Sequence, residues 1–135
     1  MLDEDSLRPL IFVAGETGFA PIKSLVEHAM ALDTSEMLHL YWLASGEDGH
    51  YLDNLCRSWN DALDNFRYIP LTEDASLPDE TAASHALQPL LDAHPALADY
   101  DVYVAGPARL TNAAEFLLLQ HGLPRAQLFI NIVES

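Results

Sequence analysis

The chain has 135 residues, half of them hydrophobic, which suits one domain with one core. Its 6 basic and 21 acidic residues give a formal net charge of −15. The negative electrostatic field of such a chain repels nucleic acid and anionic membranes. No apolar run is long enough to insert into a membrane, and the single cysteine permits no intrachain disulfide. The acidic first residues do not resemble a signal peptide. Together these features predict a cytoplasmic location.

Strand-like and helix-like segments alternate along the chain. Apolar runs predict strands over residues 9–14, 37–43, 66–71, 100–105 and 128–133, the third of them short and closed by Pro70. Helical spacing of apolar residues predicts helices over 21–32, 51–63, 81–91 and 107–121, with an acidic loop over 72–80. The last helix has a proline at its start and Gly122 just past its end, the usual asymmetry. Such alternation implies a doubly wound α/β fold, in which helices cover both faces of a parallel sheet.

Two predicted strands end in a glycine turn that leads toward a proline and a helix. The first turn spans residues 15–18 (G-E-T-G) and precedes Pro21, and the second is formed by Gly106 before Pro107. A helix N-terminus presents unpaired N–H groups and the positive end of a dipole, which suits a phosphate. Because ligands of open parallel sheets bind beyond the carboxyl ends of the strands, the paired turns predict one nucleotide crevice.

The first turn matches neither of two common phosphate-binding motifs. Only Gly15 and Gly18 fall within it, so it is not G-x-G-x-x-G, and no Gly-Lys-Ser/Thr follows, so it is not a P-loop. A simple strand-to-helix connection is the structural alternative for each turn. The six histidines show no metal-ligand spacing, so no metal site is predicted. His121, near the end of the last predicted helix, is explained by the helix dipole. From the residues alone, the prediction is a nucleotide-binding α/β domain.

Two segments resemble those of a known family. Residues 8–22 (R-P-L-I-F-V-A-G-E-T-G-F-A-P-I) resemble the pyridine-nucleotide segment of ferredoxin–NADP reductase-like flavoproteins, usually R-P, four apolar residues and A-G-G-T-G-[IF]-A-P. Residues 103–110 (Y-V-A-G-P-A-R-L) resemble their Y-x-C-G-P-x-x-M segment. The resemblance covers nearly the whole chain and is greatest for NAD(P)H–flavin reductases and oxygenase reductase components. It implies a ferredoxin reductase-like NAD(P)-binding domain with five parallel strands in the order 3-2-1-4-5.

The resemblance also implies a larger assembly. The family's usual plan places an FAD-binding β-barrel before this domain, so residues 1–8 are expected to be an interdomain linker remnant and 9–135 the NAD(P)H-binding domain. Hydride would pass from the nicotinamide to FAD on the missing N-terminal domain, in the same or another chain. Electrons would then pass to an acceptor protein such as an iron–sulfur domain. Without FAD, the isolated chain is expected to bind a dinucleotide but to show no catalytic turnover.

The first motif carries over four residues of the cofactor site. By resemblance, Gly15, Thr17 and Gly18 would meet the pyrophosphate and the nicotinamide end of the dinucleotide. Pro21 would open the helix beneath it. Glu16 stands where the family usually has a second glycine, and its carboxylate would weaken pyrophosphate binding unless the side chain turns outward.

The second motif carries over four more residues. Gly106 and Pro107 would flank the nicotinamide ribose. Arg109 is a candidate phosphate contact, with a solvated residue in the first helical turn as the structural alternative. Ala105 stands where the family usually has a cysteine beside the reacting nicotinamide carbon, so no catalytic residue is assigned. Together with Glu16, this departure motivates an alternative: a degenerate interaction or regulatory domain that kept the fold and lost productive cofactor binding.

Ser45 falls where the family selects the adenosine ribose. NADPH-using relatives commonly place serine and arginine there to hold the 2′-phosphate. Ser45 is followed instead by G-E-D, whose carboxylates repel a phosphate and accept hydrogen bonds from ribose hydroxyls. NADH is therefore the expected cofactor, with NADPH left open through Arg57 or Arg67.

Overall fold

The computed structural model describes residues 9–15, 19–32, 37–44, 53–72, 76–77 and 79–133. Its strands are β1 (Leu10–Gly15), β2 (Leu38–Ala44), β3 (Phe66–Thr72), β4 (Asp101–Gly106) and β5 (Leu128–Ile132). Its α-helices are α1 (Phe19–Leu32), α2 (Asp53–Ala62), α3 (Asp79–Ala93) and α4 (Ala108–Gln120). Short 3₁₀ turns at Leu97–Asp99 and Arg125–Gln127 precede β4 and β5.

The five strands form one parallel sheet in the order β3-β2-β1-β4-β5, which confirms the predicted topology. Every residue of β1 and β4 is buried, as expected for central strands covered on both faces. Alternate residues serve two separate cores. Phe12, Trp42 and Tyr103 pack with α1 and α2, whereas Val13 and Val104 pack with α3 and α4.

Proline positions correct three of the predicted element boundaries. Pro70 does not close β3 but lies within it, which is tolerated because β3 is an edge strand that needs hydrogen bonds on one side only. Pro21 is the third residue of α1 rather than its first. Proline is tolerated at the third position because the first four N–H groups of a helix have no partner within the helix. Pro107 is the N-cap of α4, one residue before the helix begins.

The predicted acidic loop over residues 72–80 is too long at both ends. Thr72 still belongs to β3, and α3 already begins at Asp79. Among the described helices, none combines the length and the apolar character needed to cross a bilayer.

Candidate functional site

The ends of β1 and β4 bring the two glycine turns to the same edge of the sheet. The two strands are hydrogen-bonded neighbours, and Ala14 pairs in register with Ala105. Gly15 and Gly106 follow as the last residues of their strands. Gly15 and Gly106, with which the two predicted turns begin, therefore lie side by side at the carboxyl edge, where a doubly wound sheet binds its ligands.

Gly15 and Gly106 are in close contact with each other beneath α4. A Cβ added to Gly106 would lie 3.2 Å from the Cα of Gly15 and 2.9 Å from the Leu110 side chain. A Cβ added to Gly15 would overlap the Leu110 side chain. The sequence suggests that glycine at position 15 makes room for a ligand, but in the structure Leu110 occupies the space where its Cβ would be. The requirement for glycine there is therefore already explained by helix packing.

Two helices begin at this edge without a negative charge in their first turns. Neither α1 nor α4 has an acidic residue there, although the chain has 21 acidic residues. At α4, the carbonyl of Pro107 accepts hydrogen bonds from the N–H groups of Leu110 and Thr111, both at 3.0 Å. The first turn of α4 also carries the half-buried Arg109. Both helix ends thus keep the positive electrostatic character that favours an anionic group.

A cavity of about 220 Å³ lies between α1, β4 and β5. Its walls include Pro21 and Ala105, two of the predicted site residues that are far apart in sequence. Complete small-ligand pockets are typically about 300–1,000 Å³, so this cavity suits one portion of a dinucleotide rather than the whole molecule. It is therefore best interpreted as one compartment of a larger crevice.

The structure describes six of the nine predicted site residues. They form two groups: one around the cavity, and one where the ends of β1 and β4 meet α4. They are Pro21 and Ala105 in the first group, and Gly15, Gly106, Pro107 and Arg109 in the second. Thr17, Gly18 and Ser45, together with Glu16, lie outside the described residues.

Sequence reasoning missed the contribution of β5 to the cavity. Asn131 is the register partner of Ala105 and brings a side-chain amide to the cavity wall. Phe129 lines the same wall and stacks on Tyr103, with ring centroids 4.5 Å apart and an angle of 12° between the planes. The only sequence signal was indirect: alternate residues of a strand beside β4 must share a face with Ala105.

Among the residues that the structure describes, the other chemistry-bearing side chains form no additional candidate site. Cys56 is fully buried in the core beneath α2 and serves as a packing residue. Within the described ranges, no group of three or more His, Cys, Asp or Glu side chains has metal-binding geometry. His121 lies at the end of α4, and its ring contacts the carbonyl of Leu117 at 2.9 Å, which fits the predicted helix-end role.

Comparison with known proteins identifies similar sequences and folds. The sequence profile of the family described as oxidoreductase NAD-binding domain matches residues 12–115. The chain is 29% identical over 113 residues to an NAD(P)H-flavin reductase of Vibrio harveyi, covering 84% of this chain and 48% of the relative. It is 32% identical over 123 residues to terephthalate 1,2-dioxygenase reductase component 1 of Comamonas sp., covering 90% of this chain and 37% of that protein.

A solved structure shows the same fold at low sequence identity. The ferredoxin-NADP+ reductase of Plasmodium falciparum superimposes with a TM-score of 0.73 at 16% identity, covering 94% of this chain and 54% of that one. The ferredoxin reductase-like fold expected from the sequence is thereby confirmed. The chain spans less than half the length of the two curated relatives described above.

Proposed function

The chain belongs to the family of oxidoreductase NAD-binding domains, and we propose that it holds NAD(P)H for hydride transfer to an FAD carried by a separate domain. The observation that carries this proposal is that the paired strands β1 and β4 end at one sheet edge, where Gly15 and Gly106 are in close contact. There, two helix N-termini lack acidic first turns, and α1 adjoins a partly apolar cavity. This combination suits a ligand with both a pyrophosphate and a flat, weakly polar ring.

The described residues fit different parts of such a dinucleotide. The start of α4, with Pro107 and Arg109, would face a phosphate or ribose. The wall formed by Ala105 and Asn131 would accommodate the nicotinamide end, because Ala105 is small and Asn131 offers both a donor and an acceptor. When bound, the reduced nicotinamide supplies the hydride, and the protein supplies alignment and exclusion of water.

NADH is the proposed cofactor, with NADPH as the alternative. The proposal rests on the sequence after Ser45, where two carboxylates and no nearby arginine disfavour a 2′-phosphate. Thr17, Gly18 and Gly15 are proposed to contact the pyrophosphate and nicotinamide end, in keeping with their place in the first motif. FAD would be held by a β-barrel domain joined before residue 9, with residues 1–8 as the linker.

The proposed partners follow from the chemistry of two-electron and one-electron transfer. A flavin accepts a hydride and releases single electrons, so an acceptor such as an iron–sulfur protein is proposed downstream. The Comamonas relative is named as a dioxygenase reductase component, which supports an acceptor of this kind. A cytoplasmic location is proposed from the single cysteine, consistent with reducing surroundings.

Calorimetric titration of the chain with NADH, NADPH and AMP tests the proposal. Saturable binding, tighter for NADH than for NADPH, is expected, and AMP measures the adenosine contribution alone. If no ligand produces heat up to millimolar concentration, the titration is repeated with an FAD-binding domain attached. Absence of binding in both forms would contradict the proposal and favour the degenerate interaction domain. A preference for NADPH would retain the function and reverse the cofactor assignment.

A further inference from the structure

A cluster of two tyrosines and two histidines, two of them buried and two half-buried, lies toward the amino ends of the strands, away from the candidate site. It is formed by His39 and Tyr41 near the start of β2, and by His94 and Tyr100 in the connection between α3 and β4. We refer to these four residues as the amino-edge cluster. The Tyr41 hydroxyl and His94 Nε2 are 2.8 Å apart, and the hydrogen bond joins residues 53 positions apart in sequence. This bond ties the α3–β4 connection to the sheet.

The rings of the amino-edge cluster are packed edge to face. His94 lies 4.7 Å from His39 and 4.9 Å from Tyr100 between ring centroids, with interplanar angles of 82° and 75°. His94 is 5% exposed. The Nδ1 atoms of both His39 and His94 are buried and have no hydrogen-bond partner among the described residues. A neutral imidazole can leave one nitrogen unpaired at modest cost, whereas an imidazolium needs acceptors for two N–H groups.

The charged groups around the amino-edge cluster oppose protonation of His94. Burial lowers the pKa of His94 to about 4, and His39 adds to the effect. Burial and the Arg67 guanidinium lower the pKa of His39 as well, against a raising contribution from a hydrogen bond to the Leu10 backbone. Burial and Tyr100 raise the pKa of Tyr41 to about 12, so this hydroxyl stays protonated and supplies no negative charge.

Neighbouring carboxylates do not compensate a charged His94. Asp92 at the end of α3 is exposed and accepts a hydrogen bond from Gln88 instead. Asp99 is also exposed, in the 3₁₀ turn of the connection. Asp101 shares its side of β4 with Tyr103, on the opposite face of the sheet from Tyr41. The contacts around His94 therefore come from neutral or cationic groups.

The position of His94 gives it a short path to water. Ala93, Pro95 and Ala96 beside it are all exposed, and Leu97 is the next buried residue. Moving the His94 ring outward would break its bond to Tyr41, whereas the β1–β4 pairing and the hydrogen bonds from Gln127 to the carbonyls of Ala98 and Tyr100 do not involve His94. A local opening therefore hydrates a charged His94 without unfolding the domain.

We propose that His94 is an acid-released latch. Neutral His94 holds the α3–β4 connection against β2 through its hydrogen bond to Tyr41. Protonated His94 leaves the amino-edge cluster, and the connection opens locally. The amino-edge cluster lies toward the amino ends of the strands, away from the candidate cofactor site, and the latch does not depend on the proposed function.

Hydrogen–deuterium exchange of the 135-residue chain tests the latch. Protection is compared between pH 7.5 and 5.5, after correction for the intrinsic pH dependence of exchange. With a pKa of about 4 when closed and 6.5 when released, the opened population rises about tenfold over this range. Peptides covering residues 90–101 should lose protection by about that factor, whereas peptides from β1 and the first half of β4 should change little.

Two variants make the test specific. His94→Gln can still bond the Tyr41 hydroxyl but does not titrate, so its protection over residues 90–101 should be independent of pH. His85→Gln is the matched control, because His85 is an exposed histidine on α3 and its loss should leave the tenfold change intact. Unchanged pH dependence in His94→Gln would overturn the proposal, as would an equal loss of protection throughout the sheet.

A measurement on the unmodified chain covers the case in which His94→Gln does not fold. The ring proton signals of His94 are followed by NMR from pH 8 to 5 and compared with those of His85. The latch predicts that His94 stays neutral in the closed form well below pH 6.5, while a minor opened form grows in. A single ring signal that titrates near pH 6.5 without local opening would refute it.

Discussion

Gly15 and Gly106 meet backbone to backbone at the ends of adjacent strands, with the Leu110 side chain packed against both. The contact connects three separate parts of the chain: the first turn, the second turn and the first turn of α4. It places the two motifs of the candidate site at a fixed separation. The site geometry therefore depends on a packing contact that leaves no room for a Cβ at either position.

Gly106→Ala should destabilise the domain. The new methyl group would lie 3.2 Å from the Gly15 Cα and 2.9 Å from Leu110, so backbone as well as a side chain must move. Overpacking of this kind costs about 1–3 kcal/mol, measurable by urea unfolding. Gly122→Ala is the control: it meets no atom within 4 Å but has a φ of +99°, so a smaller loss of about 1 kcal/mol is expected. Equal stability of Gly106→Ala and the wild type would contradict the close approach.

Phe129→Ala should destabilise the β5 edge and enlarge the cavity. Phe129 stacks on Tyr103 and is partly buried, so the loss should be about 2 kcal/mol, below the 3–5 kcal/mol of a fully buried phenylalanine. Phe116→Ala is the matched control, since Phe116 is 63% exposed on α4 and its removal should change stability by no more than about 0.5 kcal/mol. Equal effects in urea unfolding would show that the stack contributes nothing.

Arg109→Ala should weaken dinucleotide binding while leaving the fold intact. Arg109 lies in the first turn of α4, where a cation adds to the positive end of the helix dipole, so its loss should raise the NADH Kd about three- to tenfold. Arg125→Ala removes the same charge from a mostly exposed ion pair with Glu115, before β5. It should leave the Kd within about twofold. Calorimetry distinguishes them, and equal Kd values for both variants would exclude Arg109 from the site.

Stability should fall as the pH drops below 6.5. The pKa values of His39 and His94 are lower in the folded chain than the ordinary 6.5, so the unfolded chain binds protons first. This stability is complete above about pH 6.5 and is lost as the pH falls toward 4. For His94 alone, the expected loss from pH 7.5 to 5.5 is about 1.4 kcal/mol by urea unfolding. His94→Gln should reduce that pH dependence, whereas a slope unchanged by the substitution would assign it to other groups.

Local sequence patterns predicted which strands and helices form better than they predicted the residues at which each one begins and ends. Apolar runs located all five strands, and glycine after the last helix is confirmed by the positive φ of Gly122 at the end of α4. The sequence predicts that Pro70 closes the third strand, whereas β3 continues to Thr72. Whether a proline is tolerated depends on which side of the strand needs hydrogen bonds, and that is known only once β3 is placed at the sheet edge.

The sequence by itself determined the class of fold, the family and the two turns that lie at the carboxyl edge. These depend on short-range periodicity and on motifs of contiguous residues. Only the tertiary structure decided that Leu110 fills the space above Gly15, that Asn131 joins Ala105 in the cavity wall, and that His94 meets Tyr41. Each of these contacts joins elements distant in the chain, and side-chain contacts between such elements are set by strand register and helix packing, which no local pattern encodes.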